Sequence, residues 1–374
     1  MPDFDMVAVG GSSGGVAAIE AALELEPKLR TAIITDEDRL PYKRTKVSKS
    51  FAGEIAPASF RLHEEDWYQS HGVSVLVGKR VENCDRAAKR LLLSDGSGIG
   101  YDKLVLAPGS EPEIPAELAG RTDIFFGHSM AHVEELKGAG GLASSAAVVG
   151  AGVLGAEVAE QLVKLGLEVS LIGRGRHLMR RELNEPAFER IESLFRAHGV
   201  SLHLDDPPAR YAKKNKKTGW KVLLSRSATS VEADLLVLCA GMKPRTELAE
   251  RMGLDVGRGI RVNEYLQTSD NAIFAIGDAA EQADGRVTHL WRDASRQGRI
   301  AGRNAVGHWE PYVYLPFRLK CEVFGSYFFS LARPELERLD AYRTIEFRAG
   351  ERYAAFYFDD EEAIGVVMMN DKER

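Results

Sequence analysis

The sequence predicts an α/β fold with two β-α-β lobes and a small C-terminal α/β domain. Three observations carry that prediction. Residues 6–15 (MVAVGGSSGG) and 147–155 (AVVGAGVLG) each read as a short apolar strand, a glycine-rich turn and the start of a helical pattern. Asp102 to Gly109 (DKLVLAPG) and Asp234 to Gly241 (DLLVLCAG) each read as a buried strand that ends at a glycine-containing turn. From Tyr312 the pattern changes to β-like alternation rich in aromatics, over Leu315 to Phe329 and Arg343 to Met369. Strands and helices in alternation point to parallel sheets covered by helices.

The elements follow in order. After the first turn, Val16 to Leu25 places Ala17, Ala18, Ala21, Ala22 and Leu25 on one helical face, and Thr31 to Thr35 is the next strand. After the second turn, Ala156 to Leu165 places Val158, Ala159, Leu162 and Leu165 on one face, and Val169 to Ile172 is the next strand. Gly109 to Arg121, rich in Pro and Glu, reads as a linker. Pro207, Pro208 and the run Lys213, Lys214, Lys216 and Lys217 flank a hairpin-like stretch ending near Leu224. That run reads as a solvated turn, with a patch that docks an acidic partner as the alternative. These boundaries give a discontinuous first lobe of residues 1–110 and 236–312, a second lobe of 111–235, and a third domain of 313–374.

Composition excludes several classes. The chain has 374 residues, 44% hydrophobic and 28% charged, in the range of soluble globular proteins and long enough for two or three domains. Its net charge of −6 supplies no overall basic field for nucleic acid. The uncharged stretch Gly138 to Ala156 is mostly Gly, Ala and Ser and holds a glycine turn, so it is not read as a membrane span. The N-terminus MPDFDMVAVGG has neither a basic region nor a long apolar run, so no signal peptide is expected. Cys84, Cys239 and Cys321 stand far apart, with no C-x-x-C and no His/Cys cluster. They are read as buried inert thiols in a cytoplasmic protein, and no metal centre is expected.

The two turns carry the chemistry. In the loop of a Rossmann-like domain, one glycine permits the tight turn, a second lets a diphosphate approach the backbone, and a third lets the helix pack on the strand. The helix N-terminus then offers free N–H groups and a positive dipole end to the phosphates. Gly150, Gly152 and Gly155 satisfy this spacing, with Val153 and Leu154 between them. In the first lobe the set is Gly10, Ser12 and Gly15, with Ser13 and Gly14 alongside, so a serine stands at the middle position. Its hydroxyl either crowds the diphosphate or donates to it. Asp36, with Glu37 beside it, ends the following strand, where a carboxylate accepts both ribose hydroxyls of an adenosine. In the second lobe that position is Gly173, followed by Arg174 and Arg176, which suits a 2′-phosphate and so NADPH over NADH. Surface charge and relaxed specificity is the alternative.

Four further stretches resemble those of the FAD-dependent pyridine-nucleotide oxidoreductases, nearest the rubredoxin reductase, ferredoxin reductase and apoptosis-inducing-factor group. They are LPYKRTKVSK at 40–49, MKPRTELA at 242–249, IFAIGDA at 273–279 and LWRDASRQGRIAGRNAVG at 290–307. The resemblance implies an FAD-binding first lobe, an NAD(P)-binding second lobe, and hydride transfer from NADPH or NADH to the flavin. It implies that Asp278 bonds the ribityl chain, Asp36 the ribose, and that the Val81 backbone faces the adenine. Arg44 and Lys49 would lie beside the flavin, and Glu157 would close over it in a salt bridge with Lys49. The helix starting at Leu290 and Trp291 would aim at the flavin pyrimidine, with Trp291 packed on the isoalloxazine or in the core. Pro108, Gly109, Gly241 and Gly277 complete the cofactor-binding set.

No cysteine lies between Asp36 and Lys49, so neither a dithiol relay nor a flavin-adjacent sulfenate is expected from those positions. The acceptor implied is a small, acidic redox carrier protein such as rubredoxin or ferredoxin. Arg292, Arg296, Arg299 and Arg303 form one helical stripe that could steer such a carrier or be a solvated face. His289 reads as a structural or cofactor-edge residue. The alternatives are an NAD(P)H oxidase or quinone-type reductase, and a regulatory protein that binds FAD or NADP without turnover. Ser12, Pro108 and Arg292 depart from the group's pattern, and the C-terminal domain is expected to be shorter than the group's. The oligomeric state is left open.

Overall fold

Strands covered on both faces need continuous apolar runs rather than alternation. Thr31–Ile34, Ile273–Ala275 and the buried halves of Phe4–Val9 and Gly98–Leu106, from Met6 and from Leu104 onward, are such runs, and these four strands build one sheet. The computed structural model describes residues 3–53, 57–214, 219–332 and 342–371, and the chain divides into two units.

The first unit comprises Met1–Thr45, Pro57–Glu111 and Met242–Tyr314. Its parallel strands lie in the order Val73–Leu76, Thr31–Ile34, Phe4–Val9, Gly98–Leu106 and Ile273–Ala275. Val7 stands opposite Ala32 on one side and Leu104 on the other. Val7, Ile33, Leu104 and Phe274 are fully buried, and each such side chain contributes about 1.5–3 kcal/mol of burial. An antiparallel hairpin, Val81–Asp85 with Arg90–Leu93, extends the sheet along the start of Gly98–Leu106. The first helix spans Ser13–Leu25, starting three residues earlier than its apolar face suggests, because Ser12 takes the extended N-cap position. It packs on the helix Trp291–Ala305 at backbone distance. A Cβ on Gly298 would stand 2.2 Å from the Gly14 carbonyl oxygen, and one on Gly302 2.1 Å from that of Ala18.

The second unit comprises Lys46–Ala56, Pro112–Gly241 and Leu315–Arg374. Four parallel strands run in the order Ser201–His203, Glu168–Ile172, Ser145–Val149 and Leu235–Leu238. The helix Val153–Lys164 follows the second glycine turn, three residues ahead of the expected start for the same reason as in the first lobe. The uncharged stretch from Gly138 is split between the end of the helix Met130–Gly140, the strand Ser145–Val149 and the turn. Among the described residues no helix is long and apolar enough to cross a membrane.

The expected hairpin forms from Pro208–Lys213 and Trp220–Leu224, joined by a third antiparallel strand, Ser230–Ala233. Lys213 pairs with Asp123, and Lys214 lies 3.5 Å from Glu232, which fits a solvated turn. Lys216 and Lys217 lie outside the described residues.

The C-terminal alternation is a five-stranded antiparallel sheet in the order Phe317–Val323, Ser326–Ala332, Glu362–Met369, Arg352–Asp359 and Arg343–Ala349. Asn184, the N-cap of the helix Glu185–Ala197, donates to the Tyr353 and Tyr357 hydroxyls at 2.7 and 2.6 Å. The Phe324 ring stacks on His198 and meets Phe195 edge-on, and its N–H donates to Glu160 at 2.8 Å. These contacts tie the sheet to the helices of the same unit.

Candidate functional site

The first glycine turn opens where Phe4–Val9 ends. Gly10 has φ +125°, and a Cβ there would stand 2.0 Å from the Ala107 carbonyl oxygen. A Cβ on Gly15 would stand 2.2 Å from the Gly10 carbonyl. The chain reverses and the helix starts with no room for side chains. Ser12 caps the helix in extended conformation, yet its hydroxyl makes no capping bond. Ser13 and Gly14 form the buried first turn, and Pro108 and Gly109 follow Ala107 at the end of the neighbouring strand. The spare hydroxyl and the unpaired N–H groups of this helix end fit a diphosphate.

Asp36 and Glu37, neighbours in sequence, differ in what they touch. Glu37 accepts from the Tyr42 hydroxyl at 2.6 Å and pairs with Arg44. Asp36 is 40% exposed, with Arg80 and Arg245 only at 3.9 and 3.8 Å. Asp36 therefore keeps its oxygens available for ribose hydroxyls, whereas Glu37 is committed. Val81 is buried at the start of its strand, opposite Leu93.

Asp278 sits in the turn that follows Ile273–Ala275, after Gly277 with φ +68°. The Gly277 N–H donates to buried Gln297 at 2.6 Å. One Asp278 oxygen, Oδ2, accepts from Ser110 Oγ at 2.7 Å and faces His289 Nδ1 at 3.7 Å. Burial pushes this carboxyl up, but His289, Ser110 and the Arg44 charge outweigh it and hold it below the usual carboxylate range. Asp278 is thus an ionised acceptor with Oδ1 left for a ligand. His289 itself holds a left-handed backbone, φ +49°, one residue before the Leu290 N-cap. Trp291 is 40% exposed, which removes the core-aromatic alternative.

The arginine stripe is largely engaged within its own unit. Arg296 donates to the Val313 carbonyl, Arg299 to Glu24 at 2.6 Å and Arg303 to Glu310 at 3.1 Å.

The second turn repeats the two outer glycines of the first, with Gly152 in the place of Ser12. Gly150 has φ +122°, and its Cβ would stand 2.3 Å from the Cys239 carbonyl oxygen. A Cβ on Gly155 would stand 1.8 Å from the Gly150 carbonyl, whereas one on Gly152 would meet nothing within 4 Å. Gly152 is the N-cap, and Val153 and Leu154 open the helix. Two glycines are thus required by packing and one faces open space, as a diphosphate cradle needs. A Cβ on Gly173 would stand 2.6 Å from the Ala151 Cβ, so no carboxylate fits there. Arg174 is exposed, and Arg176 lies 3.9 Å from Asp205. Gly241, φ +150°, closes against Glu113.

Lys49 and Glu157 fall in the same unit, but the expected salt bridge does not form. Among the described residues no ion pair joins them. Glu157 Oε2 instead accepts from Ser48 Oγ at 2.6 Å, and Oε1 from Cys321 Sγ at 3.8 Å. The short helix Arg44–Ser50 turns Ser48 inward and leaves Lys49 half-buried beside it, so Lys49 acts on Glu157 through charge alone. Burial pushes Glu157 up, against the pull of Ser48 and Lys49. Sequence reasoning missed Ser48, Cys321, Ser110 and Gln297. The Ser-Lys dipeptide was a signal for the first, while nothing in the sequence marks Cys321.

All three cysteines are free thiols. Burial pushes each of them up, Cys239 to about 12 and Cys321 well above its ordinary value. Among the described residues no His, Cys, Asp and Glu cluster could hold a metal.

Residues 4–298 match the family model for pyridine nucleotide-disulphide oxidoreductases. The assimilatory nitrate reductase electron transfer subunit of Bacillus subtilis (strain 168) is 29% identical over 370 residues, 98% of this chain and 47% of that protein. The rhodocoxin reductase of Rhodococcus erythropolis is 32% identical over 272 residues, 71% of this chain and 63% of that protein. The ferredoxin reductase for the CYP199A2 system from Rhodopseudomonas palustris superposes with a TM-score of 0.87 at 25% identity, covering 98% of this chain and 91% of that one. The chain spans about half the length of the Bacillus subtilis subunit it matches. With both glycine turns built as its sequence requires, the chain belongs to the pyridine nucleotide-disulphide oxidoreductase family, with FAD and NADH or NADPH as its cofactors.

Proposed function

We propose that the chain takes electrons from NADPH or NADH through FAD and passes them to a small redox carrier protein of the rubredoxin or ferredoxin kind. One observation carries the acceptor: Cys84, Cys239 and Cys321 stand far apart in the sequence, with no C-x-x-C pair and none between Asp36 and Lys49, where a dithiol relay would be expected. The names of the rhodocoxin and ferredoxin reductases support a carrier protein as the acceptor.

In this reading the first lobe, residues 1–110 and 236–312, holds FAD and the second lobe, residues 111–235, holds the nicotinamide nucleotide. The helix end at Ser12, with its spare hydroxyl, binds the FAD diphosphate, and Asp36 accepts from the ribose hydroxyls. Asp278 Oδ1 accepts from the ribityl chain while Ser110 and His289 hold Oδ2. The helix end at Gly152 binds the second diphosphate, and exposed Arg174 meets a 2′-phosphate in two parallel N–H···O bonds. Glu157 and Lys49 face the flavin, where their charges orient the nicotinamide. When bound, FAD supplies the acceptor for a hydride and the means to release electrons one at a time.

The test is the absorbance spectrum of the purified protein, followed by anaerobic addition of NADPH or NADH. Flavin bands that bleach, with turnover only when a rubredoxin or ferredoxin is added, are expected. A folded protein with no flavin bands after soaking with FAD would sink the reading. A second reading, a small-molecule acceptor such as a quinone or dioxygen, draws on the stripe: Arg296, Arg299 and Arg303 already hold partners in their own unit. Bleaching followed by rapid reoxidation in air, with no gain from a carrier, would favour it.

A further inference from the structure

The Glu157 carboxyl is held at both oxygens by groups from distant segments. Ser48 comes from the short helix Arg44–Ser50 and Cys321 from the strand Phe317–Val323. Ser48 and Cys321 are 3% and 2% exposed, and each gives its hydrogen to a different oxygen of the same carboxyl. Both donors are neutral, Lys49 contributes positive charge without a bond, and Glu160 on the same helix as Glu157 contributes an opposing negative charge.

We propose that Ser48 and Cys321 are positioning residues that fix the Glu157 carboxyl in one orientation and let it take up or release a proton in place. The inference rests on the reading that Glu157 faces the flavin. A direct ammonium partner would lock the carboxyl in its ionised form. A hydroxyl does not, because it both donates and accepts. With Glu157 ionised, Ser48 Oγ–H donates to Oε2. With the proton on Oε2, that oxygen donates and Ser48 Oγ accepts across the same gap. The Cys321 thiol is a weak donor to Oε1, and it steadies the carboxyl plane in both states. Breaking either bond removes support for the ionised form.

The experiment uses the FAD-loaded protein with glutamate side-chain carboxyls labelled with carbon-13. The Glu157 resonance is assigned by its loss in Glu157→Gln, and its titration is followed by NMR. Ser48→Ala should move the titration to higher pH. Cys321→Ala should move it the same way by less. Ser48→Thr and Cys321→Ser keep a donor and should bring the midpoint back toward wild type. Thermal unfolding is recorded on each variant, because a merely structural role would lower Tm and leave the midpoint where it was. Midpoints unmoved in both alanine variants would overturn the inference. The underlying reading fails separately: Glu157→Gln with unchanged flavin bleaching by NADPH would remove Glu157 from the flavin chemistry, whatever Ser48 does to its titration.

Discussion

The two glycine turns are near copies, and they part at three places. Both pin their first glycine against a carbonyl of a neighbouring strand, Ala107 in one and Cys239 in the other. Both pin their last glycine against the carbonyl of the first. At the middle position one turn has Ser12 with a spare hydroxyl and the other has Gly152 facing open space. At the end of the next strand one has exposed Asp36 and the other a crowded Gly173 followed by exposed Arg174. The lesson is that packing dictates the outer glycines, while the residues free to differ are those that face the ligand. Predictions that exchange these positions test that division.

The largest effect is expected where packing rules. Gly155→Ala puts a methyl 1.8 Å from a backbone oxygen that no rotamer change can move. Overpacking of this kind costs about 1–3 kcal/mol or more. Thermal unfolding should show a clear drop in Tm together with loss of NADPH binding. A variant of wild-type stability would mean the helix can slide off the turn, and the copy argument would fail.

Next come the strand ends. Asp36→Ala removes hydrogen bonds to a charged acceptor, each worth about 1.5–3 kcal/mol, or roughly tenfold to a hundredfold in FAD affinity. Flavin fluorescence titration of the stripped protein measures it. Glu37→Ala should cost less, since Glu37 is taken by Tyr42 and Arg44. Arg174→Ala should lower the kcat/KM ratio of NADPH to NADH about tenfold by weakening NADPH alone, a loss near 1.4 kcal/mol. An unchanged ratio would return Arg174 to plain surface charge.

Much of this was legible in the sequence, and the limits have physical causes. Glycine spacing and the acid or base after the next strand are local, so both turns and their strand-end residues could be read directly. The helix starts lay three residues off, because Ser13–Gly15 carry no apolar side chain and Val153 and Leu154, though apolar, are only half-buried. Which side chain of the Ser48–Lys49 pair meets Glu157 depends on how a short helix turns, and neighbours in sequence can point opposite ways. Cys321 reaches Glu157 across 164 residues, from a strand whose pattern announces only alternation. Buried partners of this kind, Ser110 and Gln297 among them, are set by tertiary packing and leave no local trace.

The middle position should matter less. Ser12→Gly gives the first turn the residue of the second. The hydroxyl makes no capping bond, so Tm should hold while FAD affinity falls by about 0.5–1.5 kcal/mol, under or near tenfold. Gly152→Ser is the reverse exchange, and its Cβ meets nothing, so the fold should again hold while nucleotide affinity changes. A fall in Tm in either variant would place the middle residue among the packing positions.

The smallest effect lies behind the second turn, where Cys239 stands in the place of Ala107. Burial pushes its thiol up to about 12, against about 8.5 for an unfolded cysteine. A raised folded value favours the neutral thiol, so its contribution to stability is full below about pH 8.5 and is lost as pH rises toward 12. Cys239→Ala makes the second turn match the first and abolishes this dependence. Denaturant unfolding at a series of alkaline pH values should show wild type losing stability relative to Cys239→Ala by at most about 1.4 kcal/mol per pH unit. Tyrosines titrating in the same range affect both proteins equally and cancel in the difference. A difference flat from pH 8 to 11 would mean the thiol ionises as freely in the fold as outside it, and that the wall behind the second cradle admits water.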